Sequence, residues 1–246
     1  MEVIGVIPAR HYSRRLPGKL LKLLLGKPLL QWTWESAKKS SSLDRLIIAC
    51  DSEEIKNVAQ GFGAEVVLTS EKHTSGTDRI AEAVRDVDVN FVINIQADEP
   101  LIHYSAIDTL VEELKNNPKL VMVTLKKEIN EGEEVNNPNV VKVVTDREGF
   151  ALYFSRFPIP YRRDNEVTPT YYKHIGIYGY AKDFLYIFKS LPPSSLEKAE
   201  KLEQLRALEA GYRIKVVTTQ FDSWGVDTEE DFKKVEWILT QRGYRP

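Results

Sequence analysis

The chain has 246 residues, 42% of them hydrophobic, which is enough apolar mass for one large α/β domain or two small ones. Thirty-four Lys and Arg stand against thirty-six Asp and Glu, so no global field draws the protein to nucleic acid or an anionic membrane, and any anion site is local. No apolar run approaches the ~20 residues that span a bilayer, and no signal-peptide layout precedes the first strand pattern, so a cytoplasmic protein is expected.

In chain order, the Val/Ile-rich runs VIGVI (3–7), RLIIAC (45–50), AEVVLT (64–69) and FVINI (91–95) alternate with segments of helical spacing near 28–40, 52–62, 77–87 and 104–116. Runs that are apolar throughout, rather than at every second position, belong to strands covered on both faces. The expectation is an α/β fold: a mostly parallel sheet sandwiched by helices, Rossmann-like, with ligands at the carboxyl ends of its strands. The lone Cys50 excludes an intrachain disulfide and reads as a core residue.

After about residue 135 the rhythm breaks. NVVKVV, GFALYFSRFPIPY and HIGIYGYA follow one another without intervening helices, which predicts antiparallel hairpins appended to the sheet over roughly 135–190. Two helical stretches, RIKVVTTQF and a closing helix from about 228 complete the chain. Twelve of the twenty-four Phe, Tyr and Trp residues lie between Phe150 and Phe188, a density that requires cover from core packing or from a subunit interface.

The exit of the first strand carries Ala9, Arg10, Arg14, Arg15 and Lys19 in the stretch IPARHYSRRLPGK. It is not a P-loop: Leu20 follows Gly18-Lys19 where Ser or Thr is needed, and Ser13 stands at the first glycine's place. Four like charges on one loop are stabilised when an anion with several oxygens lies between them, and a triphosphate is such an anion; the alternative is a solvated basic loop. Pro17-Gly18 makes a turn able to aim Lys19 back toward the start of the loop.

Gln96 and Asp98 close the fourth strand in NIQADEP, where an acid is well placed for a divalent cation or, more plainly, for a polar turn. Asp227, in GVDTEEDF, is a second such acid or an ordinary helix cap. HTSGTDR (73–79) is a polar loop entering a helix, with Ser75, Thr77 and Arg79 able to meet a base or phosphate or, equally, to form an ordinary turn and cap. Arg156, His174, Tyr178, Glu203, Gln204 and Arg206 are polar groups in otherwise apolar segments, of types that can recognise a hydroxylated acid, although on the residues alone KLEQLRALEAG reads as a surface helix with its leucines inward and His174 as a hydrogen-bonded core or surface histidine.

In their order, IPARHYSRRLPGK, HTSGTDR, QADEP, NPNVVKVV, ALYFSR, HIGIYGY, LEQLR and GVDT resemble the 3-deoxy-manno-octulosonate (Kdo) cytidylyltransferases. One departure stands out: Ala97 occupies a position that is usually glycine in that family. The resemblance implies a single nucleotidyltransferase domain over 1–246, CTP and Kdo as substrates, Mg²⁺ as cofactor, a homodimer, and service to lipopolysaccharide synthesis. It implies Ala9, Arg10, Arg15, Lys19, Ser75, Gly76 and Arg79 on the nucleotide side and Asp98 with Asp227 as metal ligands. Gln96, Arg156, His174, Tyr178, Glu203 and Gln204 would form the sugar-acid pocket, and Lys19, Asp98 and Asp227 would carry catalysis.

Overall fold

The computed structural model describes residues 1–13, 15–130, 132–164, 166 and 169–245, so Arg14 of the cationic loop lies outside the described residues. The first half follows the βα rhythm: β1 (Val3–Ala9), a 3₁₀ turn (Lys19–Leu21), a small hairpin of β2 (Leu23–Leu24) and β3 (Lys27–Pro28), then α1 (Leu29–Ala37), β4 (Arg45–Cys50), α2 (Glu53–Gly61), β5 (Glu65–Leu68), α3 (Gly76–Ala83), β6 (Phe91–Asn94) and α4 (Tyr104–Asn116). The second half comprises β7 (Met122–Glu128), α5 (Gly132–Asn136), β8 (Lys142–Thr145), β9 (Ala151–Ser155), β10 (Tyr172–Ala181), α6 (Lys182–Ser190), α7 (Ser195–Glu200), α8 (Gln204–Glu209), β11 (Lys215–Thr218) and α9 (Glu229–Gln241).

The strands order as β11-β7-β10-β6-β1-β4-β5, all parallel except β10, which runs antiparallel to both β6 and β7. Alternate residues of β1 serve two cores: Val3 and Ile7 pack with Leu29, Ile55, Ile107 and Val235, whereas Ile4 and Val6 pack with Ile80, Phe184 and Leu205. The sheet is therefore buried on both faces, as the unbroken apolar runs predict. No helix among the described residues is long and apolar enough to cross a membrane.

The middle region contains the expected antiparallel hairpin but places its last strand inside the sheet. β8 and β9 form that hairpin off the main order, joined to β10 at Lys173–Lys142. β10 itself lies in the middle of the sheet because Ile177 to Tyr180 are buried on both faces, and Gly179 passes Leu114 where a Cβ would lie 2.7 Å from its Cδ1. β7 is a strand the sequence reading did not pick out, since the lysines of LKKE follow directly on its buried half, Met122–Leu125.

The aromatic cluster divides. Phe154, Tyr180, Phe184 and Phe188 are core, while Phe157 and Tyr161 are 70% and 80% exposed beside Leu152 at 62%.

At the root of the hairpin Lys142 is fully buried, and its ammonium donates to the carbonyls of Asn137 at 3.0 Å, Val140 at 2.6 Å and Arg156 at 2.6 Å. Its three protons thus meet three acceptors, which is what a buried ammonium needs. Lys142→Met strips these carbonyls of their donor and should lower the unfolding free energy by about 3 kcal/mol. Urea denaturation measures this, and a shift within about 0.5 kcal/mol would show that the ammonium does not organise the loop.

Candidate active site

Three segments meet at the carboxyl ends of β1 and β6. Leaving β1, the cationic loop closes through a turn in which Lys19 N–H donates to the Leu16 carbonyl at 3.2 Å, with Pro17 at its second place and Gly18 at its third. Gly18 has φ 65°, which L side chains rarely adopt, and this reversal sends the Lys19 side chain inward, where the residue is 8% exposed. Lys19 Nζ donates to Asp98 Oδ2 at 2.6 Å and to Asp227 Oδ1 at 3.1 Å, and Arg15 donates to Asp227 Oδ2 at 2.8 Å. Acids 129 positions apart in the chain thus converge on one ammonium.

Both acids are held by backbone bonds as well as by charge. Val226 N–H donates to the Asp98 carbonyl at 2.9 Å, and Ser223 Oγ donates to Glu99 Oε2 at 2.5 Å, so the loop before α9 is stitched to the loop after β6. The cap of α9 is Thr228, in a reciprocal box with Asp231, which leaves the Asp227 carboxylate free to face Lys19 and Arg15. Ala97, the residue in the glycine's place, is buried, and its carbonyl accepts from Thr33 Oγ1 at 3.0 Å. Among the described residues only Leu25 and Lys201 are left-handed non-glycines, so Ala97 carries no backbone strain.

On the other side of the cationic loop, Ala9 is buried at the end of β1 and Arg10 is exposed at its exit. Ser75 caps α3, accepting from Asp78 N–H at 3.0 Å. Gly76 lets α3 approach β1 closely, since a Cβ there would lie 3.3 Å from Cγ of Pro8. Arg79 is 3% exposed, with its guanidinium held by Asp51 Oδ2 at 2.8 Å and Thr69 Oγ1 at 2.5 Å. It is not presented to the loop's open face. Its effect reaches the loop through Asp51, whose Oδ1 accepts from His11 N–H at 2.8 Å.

Of the sugar-side set, His174 and Tyr178 lie on β10 and Gln96 follows β6 beside it. Tyr178 pairs in register with Asn94, whose Oδ1 accepts from Gln96 Nε2 at 3.5 Å. The rings of His174 and Tyr178 lie 5.4 Å apart, with Phe154 5.0 Å from His174 on another side. Between Ile175 and Tyr178 β10 advances three residues while β7 advances one, and Thr124 Oγ1 sits in this irregularity, 3.1 Å and 2.8 Å from the carbonyls of Ile175 and Ile177. The Thr124 hydroxyl proton goes to those carbonyls, so His174, with Nε2 2.9 Å from Oγ1, donates from Nε2.

Glu203 joins this region to α3: its Oε2 accepts from Thr77 Oγ1 at 2.8 Å, while Oε1 is buried without a hydrogen-bond partner, Arg206 standing 3.6 Å away. Burial raises the Glu203 carboxyl above its usual range, the Thr77 bond opposing it. Burial, then Tyr180 and the charges of Glu203 and Glu99, keeps the Tyr178 hydroxyl protonated. Gln204 is buried beside Glu203 at the start of α8. Arg156 has most of its fork engaged by backbone: Nε donates to the Glu200 carbonyl at 2.7 Å and one amino group to the Pro138 carbonyl at 2.9 Å, so one amino group remains to offer a ligand.

A cytidylyltransferase family model matches residues 4–215. The 3-deoxy-manno-octulosonate cytidylyltransferase of Solibacter usitatus is 49% identical over 238 residues, 97% of this chain and 94% of that one. The enzyme of the same name from Chloroherpeton thalassium is 49% identical over 244 residues, covering 98% and 99%. This chain belongs to the 3-deoxy-manno-octulosonate cytidylyltransferase family. A solved CMP:2-keto-3-deoxy-manno-octonic acid synthetase complexed with CTP superposes with a TM-score of 0.93 at 39% identity, covering 98% of this chain and all of that one. A cytidylyltransferase from Leptospira borgpetersenii, 16% identical with a TM-score of 0.64, shares the fold.

Against that family frame, the sequence reading had not singled out Asp51, Glu99, Thr124 or Ser223. Each is an ordinary polar residue whose partner is 10 or more positions away, so spacing along the chain carried no signal of it. A cavity of about 500 Å³ lined by Asn116, Leu120, Phe150 and Arg213 opens at the amino ends of β7 and β11, away from this site. Its guanidinium is engaged by Asp146 and Glu148.

Burial pulls the His174 pKa from 6.5 to about 3. The unfolded chain therefore binds more protons than the folded protein between those values, and the stability His174 contributes is complete above pH 6.5 and lost as the pH falls. His174→Gln should flatten the fall in unfolding free energy between about pH 6.5 and 4.5 by up to about 1.4 kcal/mol per pH unit. Urea titrations across that range check it; parallel curves for the two proteins would assign the acid sensitivity elsewhere.

Proposed function

We propose that the protein transfers CMP from CTP to the anomeric hydroxyl of Kdo, giving CMP-Kdo and pyrophosphate for lipopolysaccharide synthesis in the cytoplasm. The reading is carried by one observation above all: near-full-length identity to Kdo cytidylyltransferases in a chain whose Lys19, Asp98 and Asp227 converge on a single point. The hydroxyl oxygen of Kdo attacks the α-phosphorus in line and gives up its proton to water, and the bond from that phosphorus to the bridging oxygen of the β-phosphate breaks, so pyrophosphate leaves with the electron pair. No covalent bond to the enzyme is required.

Asp98 and Asp227 suit magnesium, because two hard carboxylates converge on one point and phosphate oxygens and water match its remaining preference. Magnesium held by them would supply positive charge to the phosphates. Lys19, Arg15 and Arg10 offset charge on the departing pyrophosphate. The buried lysine acts most strongly, since little water competes with it. Ser75 and Gly76 shape the nucleotide side where α3 abuts Pro8, and Arg79 with Asp51 holds the loop's entry.

On the sugar side, Gln96, His174, Tyr178 and Gln204 offer hydrogen bonds around an apolar wall. The unpartnered Oε1 of Glu203 provides an acceptor for a sugar hydroxyl. Arg156 offers its remaining amino group to the sugar carboxylate.

Asp98→Asn or Asp227→Asn should lower pyrophosphate release by about two orders of magnitude or more with an unchanged circular dichroism spectrum. The assay uses CTP with a panel of acidic sugars, with and without Mg²⁺. Full activity in either variant would refute the assignment, and release that is independent of Kdo would refute the acceptor.

The same reading includes a homodimer. Among the described residues β9 pairs with β8 on one side, and on its other side only the start of the strand is engaged, Ala151 N–H donating to the Ile214 carbonyl at 2.8 Å, so the rest of that edge is open near the exposed Leu152, Phe157 and Tyr161 in the chain. An apolar open edge of this kind needs cover, and a second copy with the same edge supplies it. Light scattering should give twice the 28.2 kDa chain mass for the native protein and the chain mass for Leu152→Glu combined with Phe157→Glu; a dimer surviving in that variant would move the interface elsewhere.

A further inference from the structure

The ammonium of Lys19 occupies the point on which the two carboxylates converge, within hydrogen-bond distance of one oxygen of each, and the second oxygen of Asp227 is taken by Arg15. A divalent ion bound by those oxygens would sit at about 2.0–2.1 Å from them, and an ammonium cannot share them at that range without direct like-charge repulsion. The carboxylates do not readily follow a cation elsewhere. Their backbones are tied by Val226 N–H to the Asp98 carbonyl and by Asp227 N–H to Asp231 Oδ2. The lysine, on a four-carbon stem, is the mobile member.

We propose that Lys19 and Arg15 are internal counter-ions that keep the carboxylate pair closed to divalent metal until a triphosphate draws them away. The inference rests on the metal role proposed for Asp98 and Asp227. Metal and nucleotide then load by exchange of ion pairs: phosphate oxygens take Lys19 and Arg15, and the metal takes Asp98 and Asp227. Metal alone would strand a lysine that is 8% exposed, without an anion. Nucleotide alone would strand two carboxylates without a cation. Each ligand therefore strengthens the other's binding, and by the same factor in both directions.

Mn²⁺ titrations of the full chain without nucleotide, read by electron paramagnetic resonance, test the exchange. Lys19→Met should bind Mn²⁺ about tenfold or more tightly than the native protein. Adding Asp98→Asn to that variant should abolish the gain. Arg15→Ala alters a side chain that is 66% exposed, so it leaves the core untouched and should show a smaller gain of the same sign. Equal Mn²⁺ affinity in the native protein, Lys19→Met and Arg15→Ala overturns the inference.

Calorimetry of CTP binding with and without Mn²⁺ separates this failure from that of the parent reading. If the native protein prefers the Mn²⁺ complex of CTP and Asp98→Asn loses the preference, the metal role stands whatever the nucleotide-free titrations give. If Asp98→Asn keeps the preference, the metal role and the counter-ion inference fall together.

Discussion

One buried ammonium organises this site. Lys19 is the partner of two carboxylates that lie far apart in the chain, and all three groups depend on one another for their placement. A lysine this far from water is tolerated where acceptors meet its protons, here two carboxylates, and two aspartates held so close together are stabilised by a cation between them. The mutual requirement explains why the loops after β1 and β6 and the loop before α9 pack at a common point. Hydrogen bonds from Val226 and Ser223 then fix the spacing that the charges demand.

The sheet supplies the rest of the geometry. β1 and β6 are parallel neighbours, so their carboxyl ends deliver Arg10 and Asp98 to the same edge. β10 enters the sheet against this direction and lies directly beside β6, which brings His174 and Tyr178 up to the end of the strand that leads to Gln96 and Asp98. The loop after β1 and the reversed strand β10 thereby both reach the carboxyl end of β6. The Thr77–Glu203 hydrogen bond links the same two sides across α3 and α8.

Much of the site was legible in the residues. The cations after the first strand, the acid after the fourth, and Asp227 before the closing helix stood out because charge at a strand end or beside a helix start is costly unless something uses it. Positions whose roles depend on direction rather than identity were less legible. Arg79 carries the residue type of a phosphate contact, yet folds inward onto Asp51 and Thr69; Arg156 resembles a carboxylate clamp, yet its fork is largely engaged by backbone carbonyls. A guanidinium takes whatever acceptors its backbone brings near, and that neighbourhood is not written in the residue.

The sequence by itself determined the α/β class, the βα rhythm of the first half and the clustering of cations at the first strand's exit, because burial on both faces and clustered charge leave local patterns. Only the tertiary structure decided where β10 enters the sheet, that β7 stands beside it, and that Asp98 and Asp227 share one lysine. Those outcomes depend on pairings between residues far apart in the chain, whose energies come from contact geometry and not from any spacing along it.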